Sequence, residues 1–192
     1  IIASMYQKVK EAGKKYGLKF SLEESPAESA SRRLAKIDVK NYPQARDLVK
    51  GDVGMDEFYY TNSVHLRPDA PVDMLTRIIT QSKFHTMIES GAIIHAFCGE
   101  ERPPVSSIMN LVKKTFENTQ AAQVTVSPEF TVCTVCGRLS PRLTDQCDHC
   151  GAYNVRGIQR LDGYKTGLDN WDASKVKTLA DRLKNESLVE SV

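Results

Sequence analysis

The stretch Cys133-Thr-Val-Cys136 is followed, after ten intervening residues, by Cys147-Asp-His-Cys150, and these two pairs decide how the C-terminal part of the chain folds. Two Cys-x-x-Cys pairs with a short spacer have the ligand spacing of a closed four-thiolate zinc site. A glycine follows each second cysteine (Gly137 and Gly151), where a knuckle turn often needs a positive φ. Because four thiolates leave no open position on the ion, the predicted site is structural rather than catalytic. The alternative interpretation is two disulfides, or four unrelated thiols.

A second motif, Arg160-Leu-Asp-Gly-Tyr164, follows the last of these cysteines after nine residues. It resembles the glycyl-radical motif of the anaerobic (class III) ribonucleotide reductases, which reads Arg, an apolar residue, any residue, Gly, Tyr. The resemblance implies that Gly163 carries a radical on its α-carbon. Such a radical is shared between the amide nitrogen and the carbonyl group, which requires a planar carbon, and glycine has no Cβ to crowd it. The alternative is an ordinary turn glycine.

Small and acidic side chains fill residues 23–31, between a predicted strand at residues 18–22 and a predicted helix that includes Arg32 and Arg33. A strand, a small-residue loop and a helix N-terminus together form an anion site, because free amides and the helix dipole both favour phosphate. The two arginines are placed to assist. The pattern by itself favours a plain capped helix over a phosphate-binding loop, because capping boxes are common and phosphate loops are not.

Within this segment, Glu24-Ser-Pro-Ala-Glu28 resembles the Glu-Thr-Pro-Ala-Glu loop of the same reductases, which holds substrate phosphates at the mouth of their barrel. The resemblance implies substrate phosphate binding by Ser25, Ala27, Glu28, Ser29 and Ala30. A plain capped helix remains the alternative, with Ser25 as the cap, Pro26 at the first position and Glu28 completing a capping box.

Hydrophobic periodicity predicts an alternation of helices and strands along the rest of the chain. Helices are predicted from residue 2 to a stop at Gly17, and at 71–81, 84–90, 104–118 and 172–183; strands are predicted at 58–66, 92–98 and 123–126. Residues 40–56 are polar and are interpreted as an excursion. In the helix at 104–118, the apolar side chains of Val105, Ile108, Leu111, Val112 and Phe116 are expected to point inward. Alternating strands and helices indicate an α/β fold.

Several single residues in the predicted strands have two interpretations. Tyr60-Thr-Asn-Ser63 again resembles the family, which implies that Tyr60 and Asn62 face the active site; a buried aromatic and a turn-forming Asn are the alternatives. His65 and His95 are predicted to be hydrogen-bonded core residues. Cys98, which precedes a Gly-Glu pair that also resembles the family, is predicted to be a buried small residue.

Composition excludes several classes of function. The chain has 192 residues, a hydrophobic fraction of 41%, a charged fraction of 26% and a net charge of only +2. This charge gives no electrostatic basis for binding nucleic acid or a membrane surface. No apolar run reaches membrane-spanning length, and the first residues lack the pattern of a signal peptide. Four metal-binding thiols suit a reducing cytosol, so a cytoplasmic location is expected.

The resemblance extends over most of the chain and implies the C-terminal portion of a longer reductase, since the first residue is Ile1 in what looks like a helix already under way. Residues 1–126 are expected to form the last part of a ten-stranded α/β barrel. Residues 127–157 are expected to form the zinc module, and 158–192 the radical loop and a C-terminal helix. The thiyl-forming cysteine and the ATP-binding regulatory domain of the family are expected outside this chain.

The family mechanism implies several cofactors and partners. An activating enzyme with an iron–sulfur cluster and S-adenosylmethionine removes a hydrogen atom from Gly163. The glycyl radical then oxidises a cysteine on the remainder of the catalytic chain, the thiyl radical takes the 3′ hydrogen of a ribonucleoside triphosphate, and the 2′ hydroxyl leaves as water. Formate or a dithiol protein is the reductant, and the complete enzyme is expected to be a homodimer.

Two other classes of protein remain open at this point. A zinc-ribbon interaction module would explain the four cysteines, although the basic and aromatic residues that such a module uses are sparse beside them. A small glycyl-radical spare-part protein would explain the short chain, but it needs no phosphate loop. A rubredoxin-like iron site is a third reading of the cysteines.

Overall fold

The computed structural model describes residues 1–25, 28–97, 103–160 and 165–186. Its helices are α1 (Ile2–Tyr16), α2 (Glu28–Asn41), α3 (Met74–Ser82), α4 (Val105–Asn118) and α5 (Ala173–Glu186), with short 3₁₀ helices at Pro43–Asp47 and Leu168–Asn170. Its strands are β1 (Lys50–Asp52), β2 (Glu57–Tyr59), β3 (Ile94–Phe97), β4 (Val124–Ser127), β5 (Phe130–Cys133), β6 (Leu139–Pro141), β7 (Val155–Arg160) and β8 (Lys165–Gly167). Among the described residues, no helix has the length and apolar character needed to span a membrane.

The first sheet is a small antiparallel hairpin of β1 and β2, in which Lys50 lies opposite Tyr59. It packs against α2 through a buried cluster of Ala35, Val49 and Phe58. The segment at residues 40–56, interpreted from the sequence as a polar excursion, contains the end of α2, a 3₁₀ helix and β1. The predicted strand at 58–66 is too long, since β2 ends at Tyr59.

The predicted strand at residues 18–22 does not form. The chain is irregular there. Among the described residues, its contacts with residues 89–90 include an isolated parallel bridge between Glu23 and Ser90 and two amides that donate to the carbonyl of Leu22. The alternating pattern of these residues is local, whereas a strand needs a partner of matching length. Here the partner segment supplies one bridging residue before Gly91 turns away with a φ of 73°.

The second sheet pairs β3 with β4 in parallel, and α4 connects them. Ile94 and Ala96 are fully buried on one face of β3, and His95 on the other face is 5% exposed, in agreement with the predicted two-sided burial of this strand. The bounds of α4 match the prediction, but its predicted inward face is found only in part. Val105, Val112 and Phe116 are exposed, whereas Ile108 and Leu111 are half-buried and Thr115 is buried.

The third sheet is antiparallel, with strand order β6-β5-β7-β8. Helix α5 follows it and returns to the first sheet, where Ser174 Oγ donates to the carbonyl of Phe58 at 3.0 Å and Tyr59 Oη donates to Asp181 Oδ2 at 2.7 Å. Asp172 caps α5 as predicted, since its Oδ1 accepts from the amide of Lys175 at 3.0 Å. The C-terminal segment is thus fastened to the N-terminal half of the chain.

Candidate functional site

The four cysteines of the two Cys-x-x-Cys pairs converge on one point. Cys133 Sγ lies 3.5 Å from Cys150 Sγ, Cys136 Sγ lies 3.7 Å from Cys147 Sγ, and all four sulfurs lie within 4.8 Å of one another. A tetrahedron of sulfurs at 2.3 Å from an ion has edges of about 3.8 Å. All four thiols are free, which excludes the disulfide interpretation in this structure. The donor set therefore fits one tetrahedral metal ion that prefers thiolate ligands.

Two equivalent turns present these sulfurs. The amide of Gly137 donates to the carbonyl of Cys133 at 3.0 Å, and the amide of Gly151 donates to the carbonyl of Cys147 at 3.0 Å. The two glycines have φ values of 71° and 70°, in the left-handed region that a side chain would strain. This repeated geometry explains the glycine that follows each pair in the sequence.

Backbone amides favour the thiolate form of the two buried cysteines. The amide of Cys136 points at Cys133 Sγ at 3.5 Å and, with that of Val135, lowers the pKa of the Cys133 thiol to about 6. The amides of Cys150 and His149 likewise lower the pKa of Cys147. Since the thiolate is the form that ligates metal, the backbone prepares both sulfurs for coordination.

The motif at residues 160–164, which resembles the glycyl-radical motif, begins at the end of β7 in the sheet that carries the cysteines. Cys133 at the end of β5 pairs with Val155 at the start of β7, and Arg160 at the end of β7 pairs with Lys165 at the start of β8. Residues 161–164, including Gly163, lie outside the described residues. The residues on either side of this segment, Arg160 and Lys165, lie opposite each other in an antiparallel ladder.

The predicted phosphate loop is described only in part. Pro26 and Ala27 lie outside the described residues, as does the side chain of Glu28. Helix α2 begins at Glu28, so Ser29 and Ala30 belong to its first turn, where amides have no partner within the helix. Ser25 precedes the gap and is exposed.

Arg32, which was predicted to assist phosphate binding, makes two ion pairs within the protein, and its assistance stays a prediction. Its guanidinium group lies 3.0 Å from Asp56 Oδ2 and 3.4 Å from Asp172 Oδ1. The arginine therefore connects α2 to the turn of the first hairpin and to the cap of α5. Arg33, the next residue, is exposed.

Two residues of the segment 60–63 that resembles the family make contacts within the protein, Tyr60 through its side chain and Asn62 through its backbone. Tyr60 Oη donates to Asp38 Oδ2 at 3.1 Å, and the carbonyl of Asn62 accepts from the amide of His65 at 3.3 Å. His65 Nε2 lies 2.9 Å from the carbonyl oxygen of Ile93, which agrees with its prediction as a hydrogen-bonded core histidine. Whether Tyr60 and Asn62 face an active site stays a prediction.

Sequence reasoning missed two buried charged residues that border these segments. Glu24 is 8% exposed and Arg182 is 7% exposed. Arg182 follows Leu179 by three residues, so a charge in the apolar stripe of α5 was the signal available for it. In the sequence, Glu24 is only the first residue of the motif that resembles the family. Its burial had no sequence signal, because a buried acid and an exposed one give the same pattern.

Comparisons with known proteins agree with this arrangement. The family model described as anaerobic ribonucleoside-triphosphate reductase matches residues 1–184. The enzyme of that name from Enterobacteria phage T4 is 23% identical over 178 residues, which cover 82% of this chain and 28% of the phage protein.

Two solved structures of the anaerobic ribonucleotide reductase from Thermotoga maritima show the same fold. The structure with MES in its active site has a TM-score of 0.70 at 21% identity and covers 89% of this chain and 26% of its own. The complex with dATP and CTP has a TM-score of 0.68 at 19% identity and covers 96% of this chain and 27% of its own. This chain thus spans about a quarter of the length of these relatives. The chain belongs to the anaerobic ribonucleoside-triphosphate reductase family.

Proposed function

We propose that this chain is the C-terminal portion of the catalytic chain of an anaerobic ribonucleoside-triphosphate reductase, and that its task is to carry a glycyl radical at Gly163. The observation that carries the proposal is the family match over residues 1–184, which includes the motif at residues 160–164 directly after an assembled four-cysteine cluster. The activity belongs to the complete reductase, in which residues 1–126 supply the last part of the α/β barrel.

Zinc is the ion we assign to the cluster of Cys133, Cys136, Cys147 and Cys150. Four thiolates in a closed tetrahedron are the ligands of a structural zinc site, and zinc has no redox chemistry of its own. An ion without accessible redox states is compatible with a radical motif on the adjoining strand. Its contribution is then to fix β5 and β7, the strands that lead to the motif.

The substrate class we infer is a ribonucleoside triphosphate, bound through its phosphates by residues 25–31. Support comes from the position of Ser29 and Ala30 in the first turn of α2, where free amides and the helix dipole favour an anion. The related Thermotoga maritima structure contains dATP and CTP, so nucleotides bind a protein of this fold. The capping-box interpretation of Ser25 and Glu28 predicts instead that nucleotide affinity is independent of these residues.

The chemistry assigned to Gly163 follows from its lack of a side chain. A hydrogen atom leaves its α-carbon, and the unpaired electron that remains is shared between the flanking amide nitrogen and carbonyl. An activating enzyme with an iron–sulfur cluster and S-adenosylmethionine is the partner that removes this hydrogen. The remainder of the catalytic chain supplies the cysteine that receives the radical, and a second copy completes a homodimer.

The test of this proposal compares two glycine variants of the complete reductase after anaerobic activation. Wild type should give a doublet electron-spin signal that collapses to a singlet when glycine is deuterated at the α-carbon. Gly163→Ala should abolish both this signal and deoxynucleotide formation while the zinc content stays unchanged. Gly54→Ala is the control, since Gly54 is exposed in the first hairpin and has no positive φ. Turnover by the Gly163→Ala enzyme would overturn the proposal.

The zinc-ribbon module fits the structure less well than the reductase does. Trp171 and Leu179 form a buried cluster with Leu143 and Leu168, which joins the cysteine sheet to α5. Helix α5 in turn packs on β2. The sheet that carries the cysteines is therefore one part of a larger packed unit.

A further inference from the structure

A buried arginine connects the first residue of the radical motif to the second sheet. Arg182 on α5 donates through Nη1 to the carbonyl oxygen of Arg160 at 3.0 Å. Its guanidinium carbon also lies 4.1 Å from the centre of the Phe97 ring at the end of β3. Because Arg182 is only 7% exposed, this cation–π contact is largely shielded from water, which strengthens it.

Aromatic side chains continue from that contact into the protein. The rings of Phe97 and His95 are nearly parallel, at 14°, with centroids 5.7 Å apart. His95 then meets His65 edge-on, at 90°, with centroids 5.4 Å apart. Both are favourable geometries for neighbouring rings. The three rings join β3 to the loop that follows β2.

A buried carboxylate lies at the other end. Glu24 Oε1 lies 3.4 Å from His65 Nε2 and accepts from the amide of Val64 at 3.3 Å. The amide of Glu24 donates to the carbonyl of Ser90 at 2.9 Å. A Cβ added to Gly91 would lie 2.1 Å from the carbonyl oxygen of Glu24, so the backbone here is tightly enclosed. Glu24 directly precedes Ser25, the first residue of the proposed phosphate loop.

We propose that these five side chains, Arg182, Phe97, His95, His65 and Glu24, form a positioning row that sets the radical motif relative to the phosphate loop. The proposal rests on the proposed function, since it takes Gly163 as the radical carrier and residues 25–31 as the nucleotide loop. The row has a cation at one end and a carboxylate at the other. Close-packed side chains transmit a displacement, because protein interiors leave few voids to absorb it. Binding of a nucleotide to residues 25–31, next to Glu24, is thereby coupled to the position of the motif at Arg160.

The first test breaks the middle of the row in the complete, anaerobically activated reductase. Phe97→Leu removes the ring on which both Arg182 and His95 stack. We expect the spin content per chain and the zinc content to be unchanged, and turnover per radical to fall at least tenfold. A misplacement of about 1 Å at a reacting centre can cost up to about 10²-fold in rate. Phe116→Leu on the exposed side of α4 is the matched control and should leave turnover per radical unchanged.

The second test measures coupling between the two ends. Glu24→Gln, Arg182→Lys and the double variant are compared by kcat/KM for the nucleotide. If Glu24 and Arg182 act through one connected row, the fold loss of kcat/KM in the double variant should be at least about threefold smaller than the product of the two single fold losses. Lys8→Gln, which alters an exposed pair with Glu11 on α1, should combine with Glu24→Gln multiplicatively.

Normal turnover per radical in Phe97→Leu, or multiplicative losses in the double variant, would overturn the proposal of a positioning row. An inactive Gly163→Ala enzyme would show that the proposed function still holds in that case. An active Gly163→Ala enzyme would instead overturn the proposed function, and the purpose of the row with it. If Phe97→Leu loses zinc or radical through misfolding, His95→Gln gives the same comparison of turnover per radical. A merely structural role would lower radical content and turnover together, whereas positioning lowers only turnover per radical.

Discussion

The hydrogen bond between Tyr59 and Asp181 is predicted to contribute strongly to stability, and Tyr59→Phe tests it. Tyr59 is 3% exposed and Asp181 is 5% exposed, and their oxygens lie 2.7 Å apart. Burial, with the hydrogen bond to Asp181, raises the pKa of the Tyr59 phenol well above its usual value. The phenol is therefore a protonated donor throughout the physiological range. Phenylalanine keeps the ring and removes only this donor.

The expected loss follows from the charge of the acceptor. A hydrogen bond to an ionised group contributes about 1.5–3 kcal/mol, and removing one partner leaves the other desolvated. Asp181 retains Lys177, whose Nζ lies 2.7 Å from its other oxygen, so the upper end of this range is not reached. We expect the free energy of unfolding to fall by about 2 kcal/mol, roughly thirtyfold in the folding equilibrium. Helix α5 should loosen first, because this bond fastens it to β2.

The assay is urea unfolding of the zinc-loaded protein, with Tyr60→Phe as the matched control. Tyr60 also donates to a carboxylate, Asp38, but it is partly exposed, so water replaces that partner and the loss should stay below about 1 kcal/mol. The midpoint should shift without a change in slope. Equal losses in the two variants, or a loss below about 0.5 kcal/mol for Tyr59→Phe, would refute the reasoning.

Two further predictions concern acid and metal. Burial lowers the pKa of His85 below the ordinary histidine value of about 6.5. The contribution of His85 to stability is therefore fully present above that pH and is lost as the pH falls through the folded-state pKa. The urea midpoint of the wild type should therefore decline between pH 7 and pH 5, and the midpoint of His85→Gln should decline less steeply. Zinc loss at low pH would lower both midpoints equally, so an equal decline in the two proteins would contradict the prediction. Cys147→Ser should abolish stoichiometric metal binding and expose the residues around the third sheet to proteolysis while helices α1 to α4 remain protected, because metal binding and local folding are linked. Cleavage spread evenly over the chain would show that the cluster supports more than its own sheet.

Features set by neighbouring residues were predictable from the sequence. Helix α1 ends at Gly17, which has a φ of 66°, and α5 begins with the cap Asp172, because each signal acts within one turn. The cysteine cluster was predictable for a similar reason. A Cys-x-x-Cys turn presents both sulfurs to one point, so only one long-range closure was needed to join the two pairs.

Features set by distant partners were not predictable in the same way. The pattern at residues 18–22 alternates as a strand does, but the structure offers it a single bridge at Glu23. The stripe that contains Val105, Val112 and Phe116 correctly predicted a helix, yet periodicity shows only which face is apolar and not what covers it. Arg182 was missed because its partners, Phe97 and Arg160, are far away in the sequence.

The distance between the four-cysteine cluster and the motif at residues 160–164 limits how a bound metal can affect that motif. Strand β7 runs from Val155, beside Cys133, to Arg160, and its five residue steps of about 3.3 Å separate the two by about 17 Å. Across that length, an ion held by the four cysteines does not contact Arg160, the first residue of the motif. The cluster therefore acts on Arg160 only by fixing the strand that leads to it. Arg182 fixes the same strand at its other end, so β7 is restrained at both ends, at Val155 beside Cys133 and at Arg160. A closed four-thiolate site suits that mechanical task, because an open coordination position would add reactivity and no stiffness.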